Sequence, residues 1–238
     1  MELRDGFIVS VFNYCDRWCE TCALTSRCRL FADLARAEAA CDTNMSAIVQ
    51  APPLKEDIAP PPPPWLDEVI AEANDAVKTM SEQELAALQP RVREEHRGIE
   101  QRATAYFMWV FEWLETRAET RQDHADPVSV IAWFASLNAS KIRRALSGLA
   151  NFDGDRAYPP DHEGSAKVAL IGFDRSQAAW RRLVADGRVA EPLAQACIDE
   201  LEWLKTQLEN AIPYARAFIR PGFDEPKALA ELARVGAE

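Results

Sequence analysis

The chain lacks several features that would assign it to a familiar functional class. No apolar run approaches the roughly 20 residues that a membrane-spanning helix requires. Basic residues are in the minority, because the 238 residues include 27 Lys and Arg against 38 Asp and Glu, a formal net charge of −11. Nucleic acids and anionic membrane surfaces recruit cationic proteins, so we expect neither of them as the main ligand.

Targeting and catalytic signatures are also missing. The N-terminus has no basic stretch followed by an apolar one, so we expect no signal peptide and a cytoplasmic location. No catalytic triad or phosphate-binding loop is recognisable, and strand-like alternation is absent after residue 12. Apolar residues nevertheless make up 48% of the chain, with seven Trp and ten Phe, which is enough to bury a sizeable core.

Helical periodicity dominates the larger part of the sequence. We predict a mainly α protein: a bundle of about five long helices in residues 65–222, preceded by a small N-terminal cysteine-cluster metal module in residues 1–45. Residues 46–64 form a proline-rich linker ending in five consecutive prolines, which favour a semi-rigid polyproline II spacer. Residues 223–238 form a C-terminal tail.

Individual elements follow from apolar spacing and capping residues. Residues 7–12 predict one short strand, and Asp126 before Pro127 predicts an N-cap followed by a first-turn proline. Residues 106–114 are apolar on nearly every side, so we expect them to form the most buried helix. The predicted helices span approximately residues 29–40, 65–80, 81–113, 127–149, 165–185 and 189–212.

One short stretch combines residue type and spacing in a way that indicates specific chemistry. Four cysteines, hereafter the cysteine cluster, stand within fourteen residues in the pattern C-x3-C-x2-C-x5-C: Cys15, Cys19, Cys22 and Cys28. Four thiolates complete a tetrahedral shell around a soft or borderline metal ion. We therefore predict that these four residues are metal ligands.

Three interpretations of the cysteine cluster remain open. A structural zinc ion suits a module of fewer than 45 residues, which rarely folds unaided. A 4Fe-4S cluster also uses four cysteines, three of them closely spaced. Disulfides require an oxidising compartment, which nothing in the sequence indicates. We favour zinc, with the iron–sulfur cluster as the alternative.

Two resemblances bear on this region. The opening C-x3-C-x2-C is also the spacing of radical S-adenosylmethionine enzymes, but those are α/β barrels and this chain lacks alternating strands and helices. At the cysteine cluster and at Gly164-Ser-Ala-Lys-Val-Ala-Leu the sequence resembles uncharacterised bacterial proteins. This second resemblance covers under a fifth of the chain and implies no activity.

Residues around the cysteine cluster suggest how the N-terminal module packs on the bundle and how the negative charge of a metal tetrathiolate is compensated. We expect Trp18 to shield the cluster or to pack the module on the bundle. Arg17, Arg27 and Arg29 would compensate the net −2 charge of a zinc tetrathiolate; a patch that recognises anions is the alternative.

Other candidate sites have simpler structural interpretations. The stretch Asn151–Gly164 is acidic and irregular, which favours a surface connection over a functional loop. Lys167 and Asp174 lie on one helical face and predict an ion-pair network with Lys141, Arg143 and Arg144, or a polar ligand pocket. His96 and Glu100 indicate a solvated helix flank. We expect Cys41 to be a free thiol without a functional role and Cys197 to be a small core residue.

The sequence therefore favours a metal-stapled helical binding or adaptor protein that is not an enzyme and acts through protein–protein contacts. An iron–sulfur redox or sensor protein is the second hypothesis. An enzyme using the Asn151–Gly164 loop with the Lys167 and Asp174 face is the third.

Overall fold

The computed structural model describes residues 2–41, 79, 81, 92–116, 125–152 and 161–225. Within these residues the chain forms five α-helices and one two-stranded sheet, which confirms the mainly α fold. None of the helices described is both long and apolar enough to span a membrane. In chain order the elements are β1 (Leu3–Arg4), β2 (Phe7–Ile8), α1 (Arg29–Cys41), α2 (Arg97–Glu115), α3 (Pro127–Ala150), α4 (Asp161–Ala185) and α5 (Glu191–Ala211).

The chain begins with a tight hairpin rather than a single strand. β1 and β2 pair antiparallel, with Leu3 opposite Ile8 and Arg4 opposite Phe7. Asp5 and Gly6 between them both have positive φ, 53° and 82°, as the hairpin turn requires. The prediction of one strand over residues 7–12 is wrong, because the chain leaves the sheet after Ile8 and forms a 3₁₀ turn at Val11–Asn13.

The start of α3 follows its capping chemistry. Asp126 accepts a hydrogen bond of 2.8 Å from the Val128 amide at the start of α3, which confirms the predicted N-cap. α1 matches its predicted range, and α4 ends at Ala185 as predicted. α4 begins at Asp161 rather than near residue 165, so the last four residues of the predicted Asn151–Gly164 loop are helical.

The core is built around α4. Fourteen of its 25 residues are buried, against five of the 19 in α2, so the prediction that residues 106–114 form the most buried helix is wrong. Met108 and Phe111 on α2 are about half exposed, whereas Phe173 and Trp180 on α4 are fully buried. α4 packs on α3 along most of its length, and it packs on α5 as well. Trp180 donates a hydrogen bond of 2.9 Å from its ring nitrogen to the Tyr106 hydroxyl.

The chain divides into two compact units. One comprises Met1–Phe31 with Val92–Glu238, and the other comprises Ala32–Arg91. In the second unit the described residues are the helical positions 32–41 and two isolated positions, 79 and 81. The proline-rich linker, the predicted helix at 65–80 and the predicted boundaries at residues 45 and 64 lie outside the described residues and stay predictions.

Candidate metal centre

The cysteine cluster lies on a series of short 3₁₀ turns between β2 and α1. One turn ends just before Cys15, the next spans Cys19–Thr21 with Cys22 as its C-cap, and the third spans Thr25–Arg27 with Cys28 as its C-cap. Each turn reverses the chain within three residues. Because of these turns, the four cysteines lie on one side of the loop.

The four thiols line a single small cavity. Its volume is about 20 Å³, which is room for one atom of the size of a water molecule, and apolar side chains including Leu24, Phe31 and Phe223 complete its wall. Within the described ranges, however, no group of three or more Cys, His, Asp or Glu side chains is arranged to hold a metal ion. The thiols thus share a cavity without forming a ready-made coordination shell. The five cysteines whose side chains are described carry no disulfide.

Two of the sulfur atoms receive backbone hydrogen bonds that favour a negative charge. The Leu24 amide donates to Cys22 Sγ at 3.4 Å, and the Arg17 amide donates to Cys15 Sγ. Arg17 has a left-handed φ of 59°, an uncommon conformation for a residue with a side chain. In both turns the donor lies two residues after the cysteine, so the local backbone fold favours the thiolate, the form that binds metals.

Burial opposes ionisation of three of the cluster thiols, Cys15, Cys19 and Cys22. Burial raises the pKa of Cys15 and Cys22, and it raises the pKa of Cys19 to about 11. After burial, the charges of the other three cluster cysteines are the next largest causes of the raised pKa of Cys19, because those cysteines lie close to it. A nucleophilic cysteine needs a lowered pKa, so these are poor nucleophiles near neutral pH. A bound dication would reverse the mutual repulsion and displace the protons.

Lys141 of α3 is a positive charge near the cluster that the sequence interpretation missed. It is 6% exposed, and its Nζ donates a hydrogen bond of 2.7 Å to the carbonyl of Asn13, two residues before Cys15. Burial and then the nearby Arg144 lower the pKa of Lys141 to about 8, whereas Cys15 acts in the opposite direction. Arg17, one of the three predicted compensating arginines, also lowers the pKa of Cys15. Lys141 therefore places a positive charge from the bundle near the cluster, in addition to that of Arg17 from the loop.

Trp18 fixes the cysteine loop to α3, as predicted. Its ring is 6% exposed, stacks on Trp133 at a centroid distance of 5.5 Å, and meets the edge of Phe134 at 5.9 Å. Trp133 also donates from its ring nitrogen to the Asp16 carbonyl at 2.8 Å. The Asp16 carboxylate pairs with Arg175 of α4 at 2.5 Å, so one residue of the loop is bound to two helices.

A second attachment lies where α4 begins. Tyr14 is buried against Phe218, with ring centroids 4.8 Å apart, and both rings pack over Gly164. A Cβ at Gly164 would overlap the Tyr14 ring and lie 2.8 Å from Phe218 Cζ, so only glycine leaves room for these rings. Burial, and then Asp161, raise the pKa of Tyr14 to about 12.

The segment after α5, residues 218–225, covers the other side of the cysteine loop. Gly222 has a φ of 77°, and a Cβ there would lie 2.9 Å from Ile8 and 3.2 Å from Leu24. Lys167 of α4 holds this segment by donating to the Phe218 carbonyl at 2.5 Å and by pairing with Asp224 at 2.8 Å. The loop is therefore clamped between the bundle and this segment, and residues 223–225 belong to that clamp.

The other predicted site residues are engaged in structural contacts. Lys167 pairs with Asp224, as described above. Asp174 pairs with Arg216 at 2.9 Å and Lys205 at 3.3 Å, so the prediction that Lys141, Arg143 and Arg144 meet Asp174 is wrong. Those three residues contact Asn13, Glu100 and Asp161 instead.

Among the remaining candidates, those that the structure describes make ordinary structural contacts. Glu100 pairs with Arg143 at 3.4 Å, and His96 lies 3.8 Å from Glu95. Cys197 is 5% exposed in the bundle core, as predicted. Residues 153–160 of the acidic stretch and the side chain of Cys41 lie outside what the structure describes.

Comparison with known proteins identifies no family for this chain. No protein-family model matches it, and neither curated proteins nor solved structures yield a match. Any functional conclusion therefore depends on the geometry of the cysteine cluster and its surroundings.

Proposed function

We propose that the chain is a helical binding or adaptor protein of the cytoplasm, stapled by one zinc ion that the cysteine cluster would hold, and acting through protein–protein contacts. The observation that supports the metal most directly is that all four cysteines line one cavity. Their backbone hydrogen bonds and neighbouring cations favour thiolates there. Zinc would supply a closed, redox-inert shell that fixes the loop.

We favour zinc over the iron–sulfur alternative because a single ion held by four thiolates is sufficient to order a loop of this size. An iron–sulfur redox or sensor protein remains the second proposal, because its ligands would be the same four cysteines. The metal content of the protein separates the two.

The role we propose for the metal is structural. Among the described residues, the apolar cluster inside the cysteine loop has three buried members, Ile8, Val11 and Leu24, so a metal ion would add to the stability that this small cluster and the contacts with the bundle provide. Structural zinc contributes on the order of 10 kcal/mol or more to the folding of such small modules.

The proposed protein contact uses the outer face of α2. Met108 and Phe111 are 48% and 51% exposed, and Phe111 lies beside the ring of Phe107 at 6.2 Å. Large apolar side chains that stay together on a surface mark contact sites for other proteins. This face supports an apolar protein partner better than a charged ligand.

Substitution of cluster cysteines tests the metal proposal. Cys19→Ser should lose bound zinc and the intense visible bands that a cobalt-substituted tetrathiolate site gives, while the bundle keeps its helical circular dichroism. Cys197→Ala is the matched control, since Cys197 lies in the core of the bundle and not in the cluster. Equal zinc content in Cys19→Ser and in the unmodified protein would refute the assignment of the ligands.

A further inference from the structure

A second concave surface lies beside the cysteine loop and is separate from the metal cavity. It is a groove of about 440 Å³ between Trp18 of the loop, the first turns of α3 and the second half of α4. This volume falls within the range of about 300–1,000 Å³ that is typical of small-molecule sites. None of the four cluster cysteines lines it.

The wall of the groove is largely apolar and well anchored. Trp18 and Phe134 are buried and packed against each other, and the half-buried Val130 extends this surface toward the start of α3. Ala178 and Ala179 line the side formed by α4, where their small side chains leave the groove open. Trp18 and Phe134 are almost fully buried, so an apolar group in the groove would contact mainly Val130 and Ala178.

Two arginines of α4 supply its positive charge. Arg175 and Arg182 are seven residues apart, which places them about 10 Å apart along the helix. Arg175 is already bound by Asp16 at 2.5 Å and lies 5.4 Å from the centre of the Phe134 ring. Arg182 is 62% exposed, and the Asp186 oxygen closest to its Nε lies 3.6 Å away, beyond hydrogen-bonding distance.

Asp126 does not line the groove; burial raises its pKa, but the hydrogen bond from Arg188 and, to a smaller extent, the charge of Arg182 lower it. Asp126 accepts from the Val128 amide at 2.8 Å and from Arg188 at 3.1 Å, so its carboxylate is occupied. The Arg182 guanidinium therefore retains donors that can reach a ligand oxygen, next to an apolar wall that can take the rest of the ligand.

We propose that this groove binds a small organic anion with an apolar body and one carboxylate. The apolar body lies against Val130 and Ala178, above the buried rings of Trp18 and Phe134, and the carboxylate accepts hydrogen bonds from Arg182. This inference goes beyond the adaptor function, because it assigns a small-molecule ligand to a different surface of the protein.

Matched ligands test the proposal on the full-length protein with the metal it carries after purification. The probes are 3-phenylpropionate and its neutral amide, titrated by calorimetry. Because a hydrogen bond to a charged group contributes about 1.5–3 kcal/mol, the acid should bind at least about tenfold more tightly than the amide. Arg182→Gln should reduce binding of the acid to the level of the amide.

Two further variants locate the binding. Arg181→Gln is the matched control, because Arg181 is an exposed neighbour on α4 that does not line the groove; it should bind the acid as tightly as the unmodified protein. Ala178→Trp fills the groove and should abolish binding of both probes. Circular dichroism and thermal unfolding verify that each variant is folded.

Several outcomes would overturn the proposal. These are equal binding of acid and amide, binding that survives both Arg182→Gln and Ala178→Trp, and no binding of either probe at millimolar concentration. A short acidic peptide containing phenylalanine is the last arm of the test. If the peptide binds and the free acid does not, the groove accepts a protein segment and the small-ligand proposal is wrong.

Discussion

Replacing Gly164 with alanine should destabilise the protein, although alanine is ordinarily the better residue in a helix. The exchange alone would favour folding by about 0.5–1 kcal/mol, because glycine loses more backbone entropy on folding. At position 164, however, the new methyl group overlaps the Tyr14 ring and comes within 2.8 Å of Phe218. Tyr14 is 7% exposed and hydrogen bonded to Asp161, so its ring cannot simply turn outward.

The expected size of the effect follows from these two opposing contributions. Overpacking of a filled interior costs about 1–3 kcal/mol, which exceeds the helix gain. We therefore expect Gly164→Ala to lower the free energy of unfolding by roughly 1–2 kcal/mol. Displacement of Tyr14, the neighbour of Cys15, should also weaken the affinity of the cysteine cluster for zinc.

Gly98→Ala provides the matched control on α2. It makes the same substitution in a helix, but nothing lies within 4 Å of the added methyl group, so it should raise stability by up to about 1 kcal/mol. Urea unfolding followed by circular dichroism and by tryptophan fluorescence measures both variants. If Gly164→Ala is as stable as the original protein, or more stable, the packing of Tyr14 and Phe218 over α4 is refuted.

Three further predictions concern the attachment of the loop and the ends of the helices. Trp18→Ala should lose about 3–5 kcal/mol of unfolding free energy and Trp18→Phe clearly less, because part of the ring contact remains; a urea titration in which the two lose equally would contradict the stacking. Burial alone would raise the pKa of Asp224, but the hydrogen bonds from Arg220 and Lys167 outweigh it and hold the pKa well below its usual range. The stability that Asp224 contributes is therefore present above its unfolded pKa of about 3.9 and is lost as the pH falls toward the lowered folded value. Asp224→Asn should accordingly unfold more easily than the original protein at pH 7, with the difference shrinking in acid; a constant difference would refute this pairing. Asp126→Ala should lower the thermal unfolding midpoint, because removal of an N-cap costs about 0.5–2 kcal/mol, and an unchanged midpoint would contradict that role.

Most of the helical fold could be predicted because helix signals are local. Asp126 followed by Pro127 sets the start of α3, and the prediction was confirmed by the Asp126–Val128 hydrogen bond. The hairpin could have been found as well, since Asp5-Gly6 is a strong two-residue turn signal. The short apolar run after it was interpreted as a longer strand, but the chain turns at Val11 because no partner strand continues beyond Leu3–Arg4.

Which helix is central could not be predicted from apolar content. The segment around Met108 and Phe111 has large apolar residues on every side, yet α2 packs through one face only. α4 is more buried although it contains many small and polar residues, because Gly164 and Gly172 let neighbouring elements approach closely. Burial of this kind depends on which helices meet, and that information is not local in sequence.

The position of the cysteine cluster could be predicted from the sequence but its surroundings could not, and the assignment of its cysteines as metal ligands stays a prediction. The spacing of the cysteine cluster identified four residues that do line one cavity. Trp18 was expected to pack the loop on the bundle, and it does. Lys141 and the segment around Gly222 could not be assigned, because they come from positions more than a hundred residues away that only the fold brings to the loop.

Metal analysis of the protein purified under nitrogen without added metal tests the central proposal most directly. Mass spectrometric quantification of metals, together with an assay for acid-labile sulfide, should find about one zinc ion per chain and neither iron nor sulfide. Cys15→Ser, prepared in parallel, should contain almost no zinc. A brown protein containing iron and sulfide would contradict the zinc staple in favour of an iron–sulfur cluster, and a metal-free folded protein would contradict both.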